Sequence, residues 1–283
     1  MHSPLVTTHW LHENLDNPRL VLIDASMATV IGKEPIVYAK PVWIPGSYQI
    51  DLEGRLCDAA SSQTHAFPTE ELVTQEARRM GITSDSLVVI YDNQGIYSAP
   101  RAWWIFKAMG VKQVFVLDGG LPQWLAEKRE VVSAPLASAP TPGSFVASLD
   151  RDRVRDSAYV LHNLDDDQVT VIDARSRGRF LGQLPEPRPG LRGGHIPHSY
   201  SLPFADVLEG YCFKSASELK TTFTQLVPAL QAGTGNSLVF SCGSGITACI
   251  ILLAAELAGY KQLSLYDGSW AEWGSDASLP VAR

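Results

Sequence analysis

A cysteine that closes an apolar run and opens a glycine-rich loop is the feature of this sequence best suited to chemistry. It stands in Leu238-Val239-Phe240-Ser241-Cys242-Gly243-Ser244-Gly245-Ile246-Thr247, and a long apolar stretch follows as far as Gly259. The run 238–240 has the composition of a buried strand, and 247–258 that of a helix ended by a glycine. A tight loop between strand and helix aims successive backbone N–H groups into a cup at the helix N-terminus. Positive potential there favours thiolate over thiol, so Cys242 is expected to be a nucleophile at neutral pH. The competing interpretation is a packed cysteine followed by glycines that merely let the chain turn. It leaves the strand-to-helix placement unused. Ser244 either polarises a bound molecule and carries a proton, or is simply a small residue that fits the loop. Cys249 faces the core by helical period and is expected to be structural.

A second concentration of chemistry lies upstream. Arg175, Arg177, Arg179, Arg188 and Arg192 share a short stretch with a single acid, Glu186, although the chain as a whole carries a net charge of -7. A solvated charged loop would look like this. So would a cationic clamp, because guanidinium grips a carboxylate through two parallel hydrogen bonds.

Bringing these side chains together takes strands that end side by side. Short apolar runs at 21–24, 87–91 and 114–118 read as strands buried on both faces, and 171–173, 238–241 and 263–266 repeat the pattern. Helical patterns fall at 68–80, 99–109, 217–226 and 247–258. Alternating strands and helices imply an α/β fold, each sheet mostly parallel and covered by helices on both faces. Chemistry in such sheets sits at the carboxyl ends of the strands. The chain also repeats itself with an offset of about 150 residues. Trp43-Ile44-Pro45-Gly46-Ser47-Tyr48 answers to His195-Ile196-Pro197-His198-Ser199-Tyr200, and Leu117-Asp118-Gly119-Gly120 with Trp124 answers to Tyr266-Asp267-Gly268-Ser269 with Trp273. Two copies of one domain are therefore expected, 1–132 and 149–283, joined by a Pro/Ala/Ser-rich linker at 133–148. Aligning Gly95 with Gly245 sets Asp92 opposite Cys242. The first copy keeps the loop and lacks the nucleophile, so it is expected to be an inactive scaffold. Asp173 and Asp267 close strands, where capping or turn formation is the expected role.

Composition narrows the partners. With 283 residues, 45% hydrophobic and 19% charged, the chain is an ordinary globular one, and its negative charge argues against nucleic acid or a membrane surface. Its four cysteines form no C-x-x-C pair, so neither a zinc site nor a disulfide framework is suggested. The stretch from Met1 to Thr8 lacks a basic region followed by an apolar core, and no apolar run approaches a membrane span. A cytoplasmic, reducing setting is the expectation.

The motifs together resemble the tandem-domain sulfurtransferases of the rhodanese superfamily over essentially the whole chain. The loop 242–247 is similar to the C-G-S/T-G-V-T of the 3-mercaptopyruvate branch, with Ile246 for valine, whereas the thiosulfate branch carries a basic C-R-K-G-V-T. Gly194-His195-Ile196-Pro197, Tyr97-Ser98-Ala99-Pro100-Arg101, Tyr266-Asp267-Gly268-Ser269-Trp270, and Arg179-Phe180 with Pro185-Glu186-Pro187-Arg188 match as well. His198 departs from the usual glycine, and Trp43 from the usual histidine of the first copy. The resemblance implies substrate binding by Arg179, Arg188, Gly243, Gly245, Ile246 and Thr247. It also implies a histidine that works with the loop serine, mapping near His65, and an acidic partner near Asp51 or Glu53.

The implied reaction starts with attack by the Cys242 thiolate on the sulfur of 3-mercaptopyruvate, its carboxylate on Arg179 and Arg188. Pyruvate leaves as its enolate, protonated through Ser244 and His65. The resulting persulfide passes its outer sulfur to cyanide or a thiol, such as a small thiol or reduced thioredoxin, with no metal or cofactor. Thiosulfate:cyanide sulfurtransferase and a non-catalytic sulfur carrier are the other readings. A cysteine phosphatase would need C-x5-R, and Ala248 stands at the arginine's position.

Overall fold

The computed structural model describes residues 3–232 and 236–283; Met1 and His2 of the N-terminal stretch considered above lie outside them. Two compact units are formed. The first comprises Met1–Ala59, Phe67–Asp150 and Glu209–Phe213; the second comprises Ala60–Ala66, Arg151–Leu208 and Lys214–Arg283.

In the first unit, β1 (Leu5–Val6), β2 (Leu20–Asp24), β3 (Ser47–Gln49), β4 (Leu87–Tyr91) and β5 (Val114–Leu117) form a sheet of order β1-β5-β4-β2-β3. Every pairing is parallel. Helices α1 (Thr8–Glu13) and α4 (Gly120–Ala126) cover one face, setting Leu11, Leu121 and Trp124 against Leu87, Val89 and Tyr91. The other helices are α2 (Glu70–Arg79) and α3 (Ala99–Ala108), and α3 packs on β4 and β5. β4 is buried at every position because it is central and covered on both faces, which explains its unbroken apolar run. Residues 133–148, Pro-rich and expected as a linker, belong to this unit and are docked by their backbone. Leu136 N donates to Ser47 O at 2.8 Å, Ala139 N to Arg79 O at 2.8 Å, and Phe145 N to Ile82 O at 3.0 Å. Composition excluded regular structure there without excluding hydrogen-bond partners.

The second unit repeats the topology. Its strands β6 (Val154–Arg155), β7 (Val169–Asp173), β8 (Tyr200–Ser201), β9 (Ser237–Ser241) and β10 (Leu263–Tyr266) run in the order β6-β10-β9-β7-β8, all parallel. Its helices are α5 (Ser157–His162), α6 (Arg177–Phe180), α7 (Ala216–Leu226), α8 (Ala248–Leu257) and α9 (Ser269–Trp273). A Ser215/Glu218 capping box fixes the start of α7. α8 is buried from Ala248 to Ala255, as its apolar circumference requires. Phe240 pairs with Ile172 and Ser241 with Asp173, so β9 and β7 end together. That register sets Cys242 beside the chain leaving β7. Among the described residues no helix is long and apolar enough to cross a membrane.

Candidate active site

Cys242 follows the last residue of β9 and is 2% exposed. Its loop is held from below by the turn into α9: Cys242 N donates to Ser269 Oγ at 3.2 Å, while Cys242 O accepts from Trp270 N at 3.0 Å and Gly243 O from Ala271 N at 2.9 Å. Ser269 adopts φ 50, a left-handed conformation unusual for a side chain and a sign that the turn is held against its preference. Gly245 turns the loop at φ 79, which only glycine adopts without penalty. With both loop carbonyls engaged, the N–H groups of Gly243, Ser244, Ile246 and Thr247 have no acceptor among the described residues. They form the cup expected from the sequence, at the N-terminus of α8. Cys249 is buried and its Sγ lies 3.3 Å from Gly245 O, a packing and loop-bracing position consistent with a structural role.

The five arginines separate into distinct roles. Arg175 is buried and bonded to Asp173 and to Glu186, its Nη2 2.6 Å from Asp173 Oδ2 and its Nη1 2.8 Å from Glu186 Oε1. Burial opposes its charge, yet the two carboxylates more than offset this and raise its pKa. Its guanidinium also lies 4.3 Å from the centre of the Trp270 ring. Arg192 spends its donors on the carbonyls of Gly274, Trp273, Asp276 and Leu279. Arg177 is exposed, 3.7 Å from Asp206. A solvated loop therefore describes Arg177 and not Arg175 or Arg192, whose guanidiniums build the fold. The remaining pair, Arg179 and Arg188, turn to the loop. A Cβ placed on Gly243 would meet Arg179 Nη2 at 3.1 Å and Arg188 Nη1 at 3.8 Å. Arg188 Nη2 also donates to Ser244 Oγ at 3.2 Å.

His65 lies in the second unit, in the segment Ala60–Ala66, with Nδ1 2.9 Å from Ser244 Oγ. Ser244 Oγ thus accepts from Arg188 and shares a second hydrogen bond with Nδ1, whose direction follows the ring tautomer. His65 holds φ 58, another backbone conformation that a Cβ disfavours. Asp51 and Glu53 belong to the first unit. There the Asp51 carboxylate accepts from the N–H groups of Glu53 and Gly54, both at 2.9 Å, and closes its own turn. His198 has φ 63, which accounts for the glycine that related motifs place there.

Two contributors had no clear signal in the sequence. Glu186 looked like a lone acid among arginines and is their hub: its side chain is 2% exposed and bonded to both Arg175 and Arg179. Ser269 was visible only as part of a repeated strand-end motif.

The equivalent loop of the first unit is filled. Asp92 is fully buried, with Oδ1 accepting from Gln94 N at 2.8 Å and Oδ2 from the N–H groups of Tyr97, Ser98 and Ala99 at 2.8–2.9 Å. A carboxylate thus sits where the second unit presents open amides.

Residues 7–127 and 156–276 each match the rhodanese-like domain family. The 3-mercaptopyruvate sulfurtransferase of Rattus norvegicus is 38% identical over 277 residues, covering 95% of this chain and 91% of the rat protein. That of Escherichia coli K12 is 36% identical over 283 residues, covering 98% and 96%. The crystal structure of the Escherichia coli enzyme SseA superposes with a TM-score of 0.81 at 31% identity, over 95% of this chain and 99% of that one. A mitochondrial thiosulfate/3-mercaptopyruvate sulfurtransferase of Arabidopsis thaliana is 36% identical, covering 99% of this chain and 78% of the plant protein. With both units matched and relatives of this similarity along nearly all of its length, the chain belongs to the rhodanese-like family, as a tandem pair.

Proposed function

We propose that this chain is a sulfurtransferase that takes the sulfur of 3-mercaptopyruvate onto Cys242 and passes it to a thiol acceptor. The observation that carries the reading is the convergence of Arg179 and Arg188 on Gly243, next to Cys242, with Ser244 bonded to His65. A donor whose carboxylate lies on the guanidiniums can present its sulfur to Cys242. The thiolate forms the S–S bond as the donor's C–S bond breaks, and the electron pair leaves on carbon as pyruvate enolate. The Ser244–His65 pair supplies the proton that turns the methylene into methyl. The open amides hold the negative charge of the persulfide. In this reading 149–283 is the catalytic copy, 1–132 the scaffold and 133–148 their connection; Gly245, Ile246 and Thr247 shape the cup. A small thiol or reduced thioredoxin is the acceptor. The setting is a reducing one such as the cytoplasm, in keeping with four cysteines that form no disulfide.

Steady-state kinetics with mercaptopyruvate and thiosulfate side by side test this. Mercaptopyruvate is expected to be the better donor by at least about two powers of ten in kcat/KM, roughly 2.7 kcal/mol. Mass spectrometry after donor treatment should find the added sulfur on Cys242, and Cys242→Ser should abolish turnover while Cys57→Ser, Cys212→Ser and Cys249→Ser retain it. Sulfur on another cysteine, or a preference for thiosulfate, would contradict the assignment.

A further inference from the structure

Arg179 does not meet the loop as a free side chain. Its Nε and Nη2 both point at Glu186, at 3.3 Å from Oε1 and 2.6 Å from Oε2, a side-on two-point contact. The same carboxylate takes Arg175 Nη1 at 2.8 Å, and Arg175 in turn is bonded to Asp173 at the end of β7 by Nε and Nη2. Arg175 also donates to Gly194 O at 2.9 Å. A continuous chain of charge-assisted bonds therefore runs from the sheet to the guanidinium above Gly243. The backbone that carries Glu186 is stiff as well. It sits between Pro185 and Pro187, one with φ fixed by its ring and the other restricting the residue before it.

A guanidinium offers two edges that fit a carboxylate, one through Nε and the other through its two terminal nitrogens. Glu186 takes the first. Only the terminal edge is left for a bound anion, and Arg179 Nη2 lies on that edge, close to Gly243. We propose that Glu186 is a positioning residue for the donor's carboxylate, locking Arg179 so that its terminal edge faces the position above Gly243. This rests on the clamp reading given under Proposed function. It adds that the orientation of Arg179 comes from an acid, and that an acid of the same sign as the donor is retained beside the site for this purpose. Charge alone argues the other way, since a carboxylate next to a carboxylate-binding arginine weakens long-range attraction. Orientation must outweigh that loss for the arrangement to serve binding.

The test is a double-mutant cycle on the full-length protein with mercaptopyruvate as donor. Glu186→Gln keeps the shape and one acceptor but frees Arg179 to rotate; KM is expected to rise about tenfold, with kcat changed much less. Because Glu186 acts through Arg179, the same change in an Arg179→Ala background should move KM by less than about twofold. Glu186→Asp keeps the charge but withdraws it by one methylene, and it is expected to raise KM in the wild-type background and not in Arg179→Ala. It also decides the matter if Glu186→Gln does not fold. A purely structural role would give the same loss in both backgrounds, and that additivity would overturn the proposal. So would an unchanged or lowered KM in Glu186→Asp or folded Glu186→Gln. If Arg179→Ala alone leaves KM untouched, the clamp reading itself fails, which is a separable outcome.

Discussion

Arg179 and Arg188 face one loop from different electrical surroundings. Arg179 is balanced by Glu186, whereas Arg188 bonds Ser244 and pairs with no carboxylate among the described residues. A bound carboxylate therefore gains more from Arg188. A hydrogen bond to a charged group contributes about 1.5–3 kcal/mol. Arg188→Ala should accordingly lower kcat/KM for mercaptopyruvate by about one to two powers of ten, and Arg179→Ala by less. An equal loss with a donor that carries no anionic group would mean that both arginines support the fold. Gly243 follows the same geometry. A side chain there must push against Arg179, so changing Gly243-Ser244 to Arg-Lys would add charge beside Cys242, displace the clamp and remove the hydroxyl at once. The donor ratio measured in that variant should shrink or reverse in favour of thiosulfate; an untouched ratio would remove loop charge as the selector.

At the scale of elements, the ends of β2 and β7 show how equivalent strands diverge. Asp24 and Asp173 occupy matching positions, but Asp173 is followed two residues on by Arg175 and Asp24 by Ser26. Without a cation, burial raises Asp24 to a pKa of about 6, with nearby Asp92 adding to the shift against the hydrogen bonds from Ser26. A carboxyl whose folded pKa lies above its unfolded value is best tolerated when protonated. Stability is therefore lost as pH rises from about 4 to about 6, where the unfolded chain ionises first, and the penalty approaches roughly 3 kcal/mol above that window. Thermal midpoints of Asp24→Asn and wild type should diverge in favour of the variant across that window and run parallel above it. Parallel curves throughout would show that Asp24 ionises normally.

Much at this scale was legible from sequence. The strands at 87–91, 238–241 and 263–266 emerged because continuous apolar runs are a strong pattern, and β4, β9 and β10 occupy those positions. The two-residue strands β1, β6 and β8 are too short to carry any period. The role of Glu186 was illegible because charge counting says nothing about burial, and the docking of 133–148 because composition reports on helix and strand only. Cys242 was readable because the repeat and the loop singled it out, with Ser244 as its loop neighbour, whereas Arg179, Arg188 and His65 came from the family resemblance and not from any pattern in the chain; the structure brings these five side chains together.

At the scale of the whole molecule, the proposal that the first copy is a scaffold raises the question of what it would need to work. Replacing Asp92 with cysteine restores the missing nucleophile, but the segment joining β2 to β3 has taken another course. It contains no arginine between 25 and 46, where the second unit carries its five between 175 and 192. It also closes over the loop: Tyr38 Oη donates to Asn93 O at 2.7 Å, Lys33 Nζ to Gln94 O at 2.8 Å, and the Gln94 amide bonds both the N–H and the carbonyl of Ile36. Tyr97 Oη accepts from Ile31 N at 2.8 Å. A cysteine installed at position 92 would thus lack a clamp and lie under a cover that uses the chain's own polar groups. Asp92→Cys in a Cys242→Ser background is expected to show no turnover of mercaptopyruvate and no donor-dependent added mass at position 92, with circular dichroism confirming the fold. Asp92→Cys with Cys242 intact should keep wild-type turnover per chain, one sulfur being carried at a time. Measurable turnover from the introduced cysteine alone would show that the cup by itself makes a sulfur-accepting thiol, and that the arginines and the open approach are dispensable.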